Sequence, residues 1–417
     1  MPYVRVWYDV PRSLAVREIF AAALFVLTLD VIGPLLVAAP GWFWLMCVAN
    51  GLGLLVSEHL SPAFETFRTA AQFPLVYLFS ASFVRTGRDI IAGCRVIAAI
   101  QFAALGIILV QILAGPIEQL NLYPAMDEGS QRFGAVRLGT VFGNPISSCM
   151  MLLILLWQFG TSVQRFWLRT GVVAAVCAVS AFTISFAPLV VMAMSSGILV
   201  LARSVFLTRV SVFRVVKIGA LSVCVLAGLY WGAVPILKSQ FVDRIGGGQT
   251  VEDYAADQLE FRFVTSFHNA YRAFQSRGWQ SLLTGCGFDT AGQAAVRFGA
   301  EDAFRPHNVF LEVTVTMGLI GAAAYMWMLW DLARCTLAIR PKTPAGIRAK
   351  GLGLGVLAAV CSAVVVDPHL TQVIMIPLMF LLASLRFAGG LFNLDGEPGC
   401  SRAYEPGAAR MLLGVGR

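Results

Sequence analysis

Apolar residues run along this chain in long blocks, and polar residues gather in short breaks between them. Windows such as IIAGCRVIAAIQFAALGIILVQILAG (residues 90 to 115) and VVKIGALSVCVLAGLYWGAVPIL (215 to 237) reach the roughly 20 apolar residues a helix needs to cross a bilayer core. Further blocks fall near residues 18–37, 41–57, 69–84, 140–162, 171–184, 187–206, 308–333, 351–366 and 372–390. Membrane β-barrel strands alternate apolar and polar positions over about ten residues, and no such alternation occurs here. The pattern predicts an all-α fold: a polytopic integral membrane helix bundle of about 11–12 transmembrane helices.

Composition sharpens the class. The 417 residues are 58% hydrophobic and only 13% charged, with a mean hydropathy of +0.75, whereas soluble domains carry about a quarter charged residues. Of the nine cysteines, Cys47, Cys94, Cys149, Cys177, Cys224 and Cys361 lie inside apolar runs and no CxxC occurs, so they read as small hydrophobes rather than a disulfide framework or zinc site. The net charge of +8 reads as basic loops of a membrane protein, not as a nucleic-acid footprint. MPYVRVWYDVPRSLAVREIF at the N-terminus lacks the apolar core and small-residue cleavage site of a removable signal peptide.

Basic connectors assign the cytoplasmic side. They hold Arg85 and Arg88, Arg165 and Arg169, the group Arg203, Arg209, Arg214 and Lys217, and the group Arg334, Arg340, Lys342, Arg348 and Lys350. The outer side then takes residues 57–68, 116–139, a turn near 185, 238–306 and a turn at 367–370, and with them all four histidines, His59, His268, His307 and His369. Eleven helices with a cytoplasmic C-terminus place the N-terminus outside, against Arg5, Arg12 and Arg17, so an extra short helix before residue 57, giving twelve, is favoured. Four regions follow: residues 1–237 with helices one to about eight, the outer loop 238–306, C-terminal helices in 307–395, and a flexible cytoplasmic tail, Gly- and Pro-rich, over 396–417.

The outer loop is far longer than a turn requires, a mark of functional loops. DQLEFRFVTSFHNAYRAFQSRGW (257–279) reads as a helix, with Asp257 and Glu260 in capping-box spacing and Gly278 as its stop. Val264, Phe267, Tyr271 and Phe274 form an apolar stripe, and Arg262, Thr265, Asn269 and Arg272 a polar one. Such a helix lies either on the membrane surface, its arginines against lipid phosphates, or on the bundle, presenting Arg262 and Arg272 to a diphosphate through bidentate hydrogen bonds. Gly285 and Gly287 space the following LLTGCGFDTAGQ.

At the end of the loop, RPHNVFLEVTVTMGLIG (305–321) runs from Arg305, His307 and Asn308 straight into an apolar stretch. An imidazole with an ordinary pKa near 6.5 at the water boundary is suited to taking a proton from a hydroxyl. Gly318 and Gly321 follow ten and thirteen residues after Asn308, where small residues let helices pack closely.

His307, Asn308, Gly318 and Gly321, in that spacing, resemble the signature of the O-antigen ligase and Wzy polymerase superfamily of bacterial inner-membrane glycosyltransferases. Two more stretches are similar: an arginine-bearing loop helix (Arg262) followed by Gly285-Cys286-Gly287-Phe288, and RLGTVFGNPIS (137–147), with Arg137 and Asn144, which carries one extra residue before Phe142. The resemblance covers roughly residues 130 to 325. It departs where family members carry Ser-Arg at the start of a central helix, since Phe186 follows Ser185 here; Arg137, Arg132 or Arg305 are the candidates to replace that arginine.

The resemblance implies transfer of a glycan from undecaprenyl diphosphate to a sugar hydroxyl at the periplasmic face, inverting, with no metal and no cofactor. It implies His307 and Arg262 as catalytic residues, Arg272, Arg137, Arg132, Arg305, Asn308 and Asn144 as substrate-binding residues, and Gly285, Gly287, Gly318 and Gly321 as motif glycines. The implied partners are the lipid-linked oligosaccharide, a glycan or lipid A core acceptor and membrane lipid. Ligase, polymerase and protein O-oligosaccharyltransferase stay open within the family. Outside it stands a secondary transporter or flippase, for which Asp30 is the intramembrane acid and Asp367 lies at a helix end.

Overall fold

The computed structural model describes residues 33, 35–84, 87–114, 260–290, 308–339 and 375–388, with residues 350, 353, 354, 357 and 360 between the last two stretches. Among the described residues every regular element is a helix. Seven α-helices run in chain order: α1 Gly41–Leu55, α2 Leu60–Phe83, α3 Gly87–Ala114, α4 Ser266–Arg277, α5 Ser281–Thr284, α6 Val309–Ala338 and α7 Met375–Ala388; a π-helical turn, Glu260–Thr265, leads into α4. Of these, α6 is the one long and apolar enough to cross a membrane.

α1 and α6 pack antiparallel. At one end Gly41 lies under the ring of Trp327, where a Cβ would overlap the indole. At the other, Gly53 meets the backbone of Thr316 and the ring of Phe288. Ala49 and Ala324, both fully buried, keep the seam narrow between these ends, since small residues let two helix backbones approach. α2 returns from the same end and packs on α7, and α3 lays Gly93 under Phe380 of α7.

The described residues form one large apolar cluster and a smaller one of Ala270, Ala273, Phe274, Cys286 and Val315. Trp42 and Tyr77 are fully buried, with ring centroids 5.0 Å apart in an edge-to-face pair, and Phe288 closes the opposite end against Phe67 at 5.9 Å. Such pairs add about 0.5–1.5 kcal/mol beyond the area they bury.

Helix positions follow the apolar blocks with one clear departure. Residues 57–68, read as a connector, are a connector only as far as His59, and α2 starts at Leu60. A hydropathy window ends where charge appears, here at Glu65 and Arg68, but helix formation does not stop there, because Glu and Arg are good helix formers. Packing secures the extra turns through Ala63, fully buried, and Phe67. The N-terminus, the blocks between 140 and 237, Asp30, Asp367, His369 and the tail from residue 396 lie outside the described residues.

Candidate functional site

Asn308 starts α6. Its backbone is extended (φ −147°, ψ 123°), and its Oδ1 accepts hydrogen bonds from the backbone N–H groups of Phe310 at 2.9 Å and Leu311 at 3.4 Å. That is an N-cap, satisfying two donors that the first helical turn leaves without intrahelical partners. Glu312 in the first turn adds a negative charge where the helix dipole favours one. Thr314 and Thr316 turn their hydroxyls onto the carbonyls of Phe310 and Glu312, at 2.5 and 2.6 Å.

Gly318 then breaks the helix. It adopts φ 68°, ψ −169° in the middle of α6, a conformation nearly closed to residues with a side chain. The break is filled by the segment from α5 onward. The N–H of Cys286 donates to the carbonyl of Val315 at 2.6 Å, a carbonyl that an unbroken helix would pair with Leu319. Gly285 (φ 91°) approaches Thr316 so closely that any Cβ would strike its backbone, and a Cβ on Gly318 would strike the carbonyl of Leu283. Gly285 and Gly318 therefore form one backbone-to-backbone junction, while Gly287 (φ 103°) approaches Ser57 instead. Gly321 lies one turn further along, against Val313 and Met317.

Beyond Phe288, Asp289 ties this junction to the start of α2. Its Oδ2 accepts from the backbone N–H groups of Glu58 (3.0 Å) and His59 (2.9 Å) and from Nη2 of Arg277 (3.3 Å). The other guanidinium arm, Nη1, pairs with Glu58 Oε1 at 2.5 Å. Ser57 links the same pieces, accepting from the N–H of Phe288 at 2.9 Å while donating to the carbonyl of Gly53 at 2.7 Å. A carboxylate from the segment after α5 thus sits at the start of α2, where the positive end of the helix dipole favours it. Sequence reasoning missed Ser57, Glu58, Arg277 and Asp289; the available signal was an acid directly after Gly287-Phe288 and a polar Ser-Glu-His break between two apolar helices.

α4 stops at Gly278 (φ 83°), as its sequence predicts, and the apolar stripe turns only one of its residues to the bundle. Of the four residues read as the apolar stripe, only Phe274 is buried; Val264, Phe267 and Tyr271 are each at least half exposed. The face against the bundle is Ser266, Ala270, Ala273 and Phe274. Small residues win it because Cys286 and Val315 come close behind them. The π turn over Glu260–Thr265 also spreads more residues around the axis than an α-helix does, so Arg262 and Arg272 do not continue one straight α-helical row.

Arg272 is exposed and in no ion pair among the described residues. Arg262 belongs to the π turn. His307, Arg305, Arg132, Arg137 and Asn144 lie outside the described residues. Among the described residues no three His, Cys, Asp or Glu side chains converge as a metal site would need.

At the far end of α6 a second polar cluster is buried in the core. Asp331, 4% exposed, accepts from Trp42 Nε1 at 3.1 Å and from Arg386 Nη1 of α7 at 2.7 Å, with Arg334 at 3.7 Å. The sequence reading named Asp30 as the acid within an apolar block and passed over Asp331; its signal is an acid in LWDLAR three residues before a basic one.

No protein-family model and no curated protein matches this chain.

Proposed function

We propose that this chain is a polytopic inner-membrane glycosyltransferase that moves a glycan from an undecaprenyl-diphosphate donor to a sugar hydroxyl at the periplasmic face, as an O-antigen ligase or a polymerase of O-antigen or exopolysaccharide repeats. The observation that carries this reading is the junction itself. The two glycine segments that resemble the superfamily, Gly285–Phe288 and the stretch from Asn308 to Gly321, interlock at the Gly318 break, and one buried residue, Asp289, fixes them to α2. Two segments that share a family spacing and also share one packing unit support a common role. The 30-residue α6 and the low charge of the chain support the membrane setting.

In this mechanism the acceptor hydroxyl attacks the anomeric carbon from the side opposite the diphosphate, so configuration inverts. His307 takes the hydroxyl proton as the new glycosidic bond forms. The bond from the anomeric carbon to the diphosphate oxygen breaks, and Arg262, helped by Arg272, stabilises the charge that the leaving diphosphate gains. Asn308, which follows His307 in the chain, caps α6 through its own side chain. The diphosphate is already an activated leaving group, so no other energy source is needed.

The test is product formation by the purified full chain from a lipid-linked oligosaccharide, with and without candidate acceptors. A longer glycan on the lipid identifies a polymerase, and a glycan moved to an acceptor core or to a protein identifies a ligase or a protein O-oligosaccharyltransferase. An intact donor under all conditions overturns the reading.

Asp331 favours a second reading, a secondary transporter or flippase, because an acid buried in an apolar helix is a common mark of an ion path. It ranks second because that carboxylate already holds Trp42 and Arg386, as a structural ion pair does. Proton-coupled uptake by vesicles containing the chain is its test.

A further inference from the structure

α4 has three sides. Rows of residues four apart lie on one side of an α-helix, and here each row has its own character. Ser266, Ala270 and Phe274 are buried on the bundle. Phe267 and Tyr271 are 53% and 50% exposed and continue, through Val264, an apolar strip. His268, Arg272 and Ser276 are exposed and polar. A helix wholly in water has no use for the second row, and a helix wholly inside a bundle has no use for the third.

The apolar strip does not end with α4. Trp279, 58% exposed, packs edge-on against Tyr271 with ring centroids 5.7 Å apart. Leu283 follows, 57% exposed, its backbone against Gly318. From there the exposed side chains Leu319, Met326, Trp327 and Trp330 carry the strip down α6. The length of α6 sets the level. Beyond the break at Gly318 the helix continues to Ala338, a run of roughly 30 Å against a bilayer core of about 30 Å. The stretch from Gly318 to Ala338 alone suffices to cross, leaving the Asn308 end and its cap standing above the lipid. The α4–α5 segment, which meets α6 at Val315 to Gly318, then lies at the lipid boundary.

We propose that α4 and α5 form an interfacial platform seated on the outer leaflet: Val264, Phe267, Tyr271, Trp279 and Leu283 enter the boundary between headgroups and acyl chains, and Arg272 faces lipid phosphate. Tyr and Trp are the residues that favour that depth, with an apolar body and a polar tip, and a basic residue on the neighbouring row adds attraction to anionic lipid. The inference rests on the membrane setting proposed above and not on glycan transfer. It gives the platform a consequence for that reaction, because a lipid-linked diphosphate lies at the same depth as Arg272.

The full chain, reconstituted in vesicles of phosphatidylethanolamine and phosphatidylglycerol, tests it. A photocrosslinking p-benzoylphenylalanine is placed at Tyr271 in one sample and at Ser276, on the polar row, in another. The proposal requires several-fold more lipid adduct from position 271 than from 276. Equal yields, or an adduct at 271 only with a second copy of the chain, overturn it. Trp279→Phe gives an independent reading: the fluorescence lost in this variant is the part that lipid brominated near the headgroup quenches and acrylamide does not, and the reverse pattern overturns the proposal. Failure of the chain to float with the vesicles would instead sink the membrane setting, and a seated platform without glycan transfer would sink only the enzymatic reading.

Discussion

The guanidinium of Arg277 lies 3.3 Å from the buried carboxylate of Asp289, and through it the end of α4 is joined to the start of α2. Asp289 is fully buried and Arg277 nearly so, whereas the other partner of Arg277, Glu58, is 64% exposed. Removing one member of a buried pair leaves an uncompensated charge, which costs about 3 kcal/mol or more, while an exposed ion pair contributes roughly 0–1 kcal/mol. Thermal unfolding in detergent should therefore rank Asp289→Ala as the most damaging, Arg277→Ala next and Glu58→Ala close to the parent. Asp289→Asn, which keeps an acceptor for the N–H groups of Glu58 and His59, should fall between Glu58→Ala and Asp289→Ala.

Gly318 and Gly106 make an internal contrast. An alanine at Gly318 must adopt φ 68° and displace the carbonyl of Leu283, and the backbone strain alone costs on the order of 1–3 kcal/mol. At Gly106, inside α3, an added Cβ meets nothing within 4 Å. Gly106→Ala should be neutral or stabilising by up to about 1 kcal/mol. Melting curves of the two variants measure the difference, and Gly285→Ala should behave like Gly318→Ala because it strikes the backbone of Thr316.

Asn308 has a structural duty that can be separated from a chemical one. Its Oδ1 caps α6, so Asn308→Ala should cost about 1 kcal/mol and Asn308→Ser or Asn308→Asp much less. Glycan transfer by the Ser variant close to the parent's assigns the residue to helix capping alone. A large loss of transfer in that variant, with stability kept, assigns its amide to the substrate.

His307→Ala and Arg262→Ala should each lower glycan transfer by about 100-fold or more, the scale of a lost general base or of a lost charge partner for the leaving group, while the chain still inserts in the membrane. Comparing product per inserted molecule measures this. Normal output from both variants would remove these residues from the site.

Asp331 stands 23 positions after Asn308 on α6, on the other side of the break at Gly318. Asp331→Ala should destabilise by about 3 kcal/mol, since Arg386 and Trp42 then lose their buried partner. Trp42→Phe, which deletes one hydrogen bond, should cost about 1 kcal/mol. Transfer per folded molecule should remain near the parent's in both, and a selective loss of transport-type activity would instead favour the alternative function.

Much of the fold was legible because apolar block length is a local property. The helices at residues 41–55, 87–114, 309–338 and 375–388 follow blocks visible in the chain, and Gly278 ends α4 where a glycine permits the positive φ of a helix stop. Asn308 was legible as a helix mouth for the same reason: the polar-to-apolar step and the cap are only three residues wide.

Tertiary structure decided the rest. Periodicity grouped Phe267 and Tyr271 with Phe274 in one apolar stripe without saying what it faces, and close approach to Val315 and Cys286 selects the small residues Ala270 and Ala273 beside Phe274 for the buried side. The pairs that join the molecule, Trp42 with Asp331 and His59 with Asp289, are separated by 289 and 230 positions, beyond any window over which a local pattern is read. The described helices other than the first turns of α2, and the residue types at the polar breaks, were readable from the chain alone, since these depend on neighbours along it. Which side of α4 is buried, why Gly285 and Gly318 must both lack a side chain, and which acid closes the junction depend on neighbours across space, and only packing supplies them.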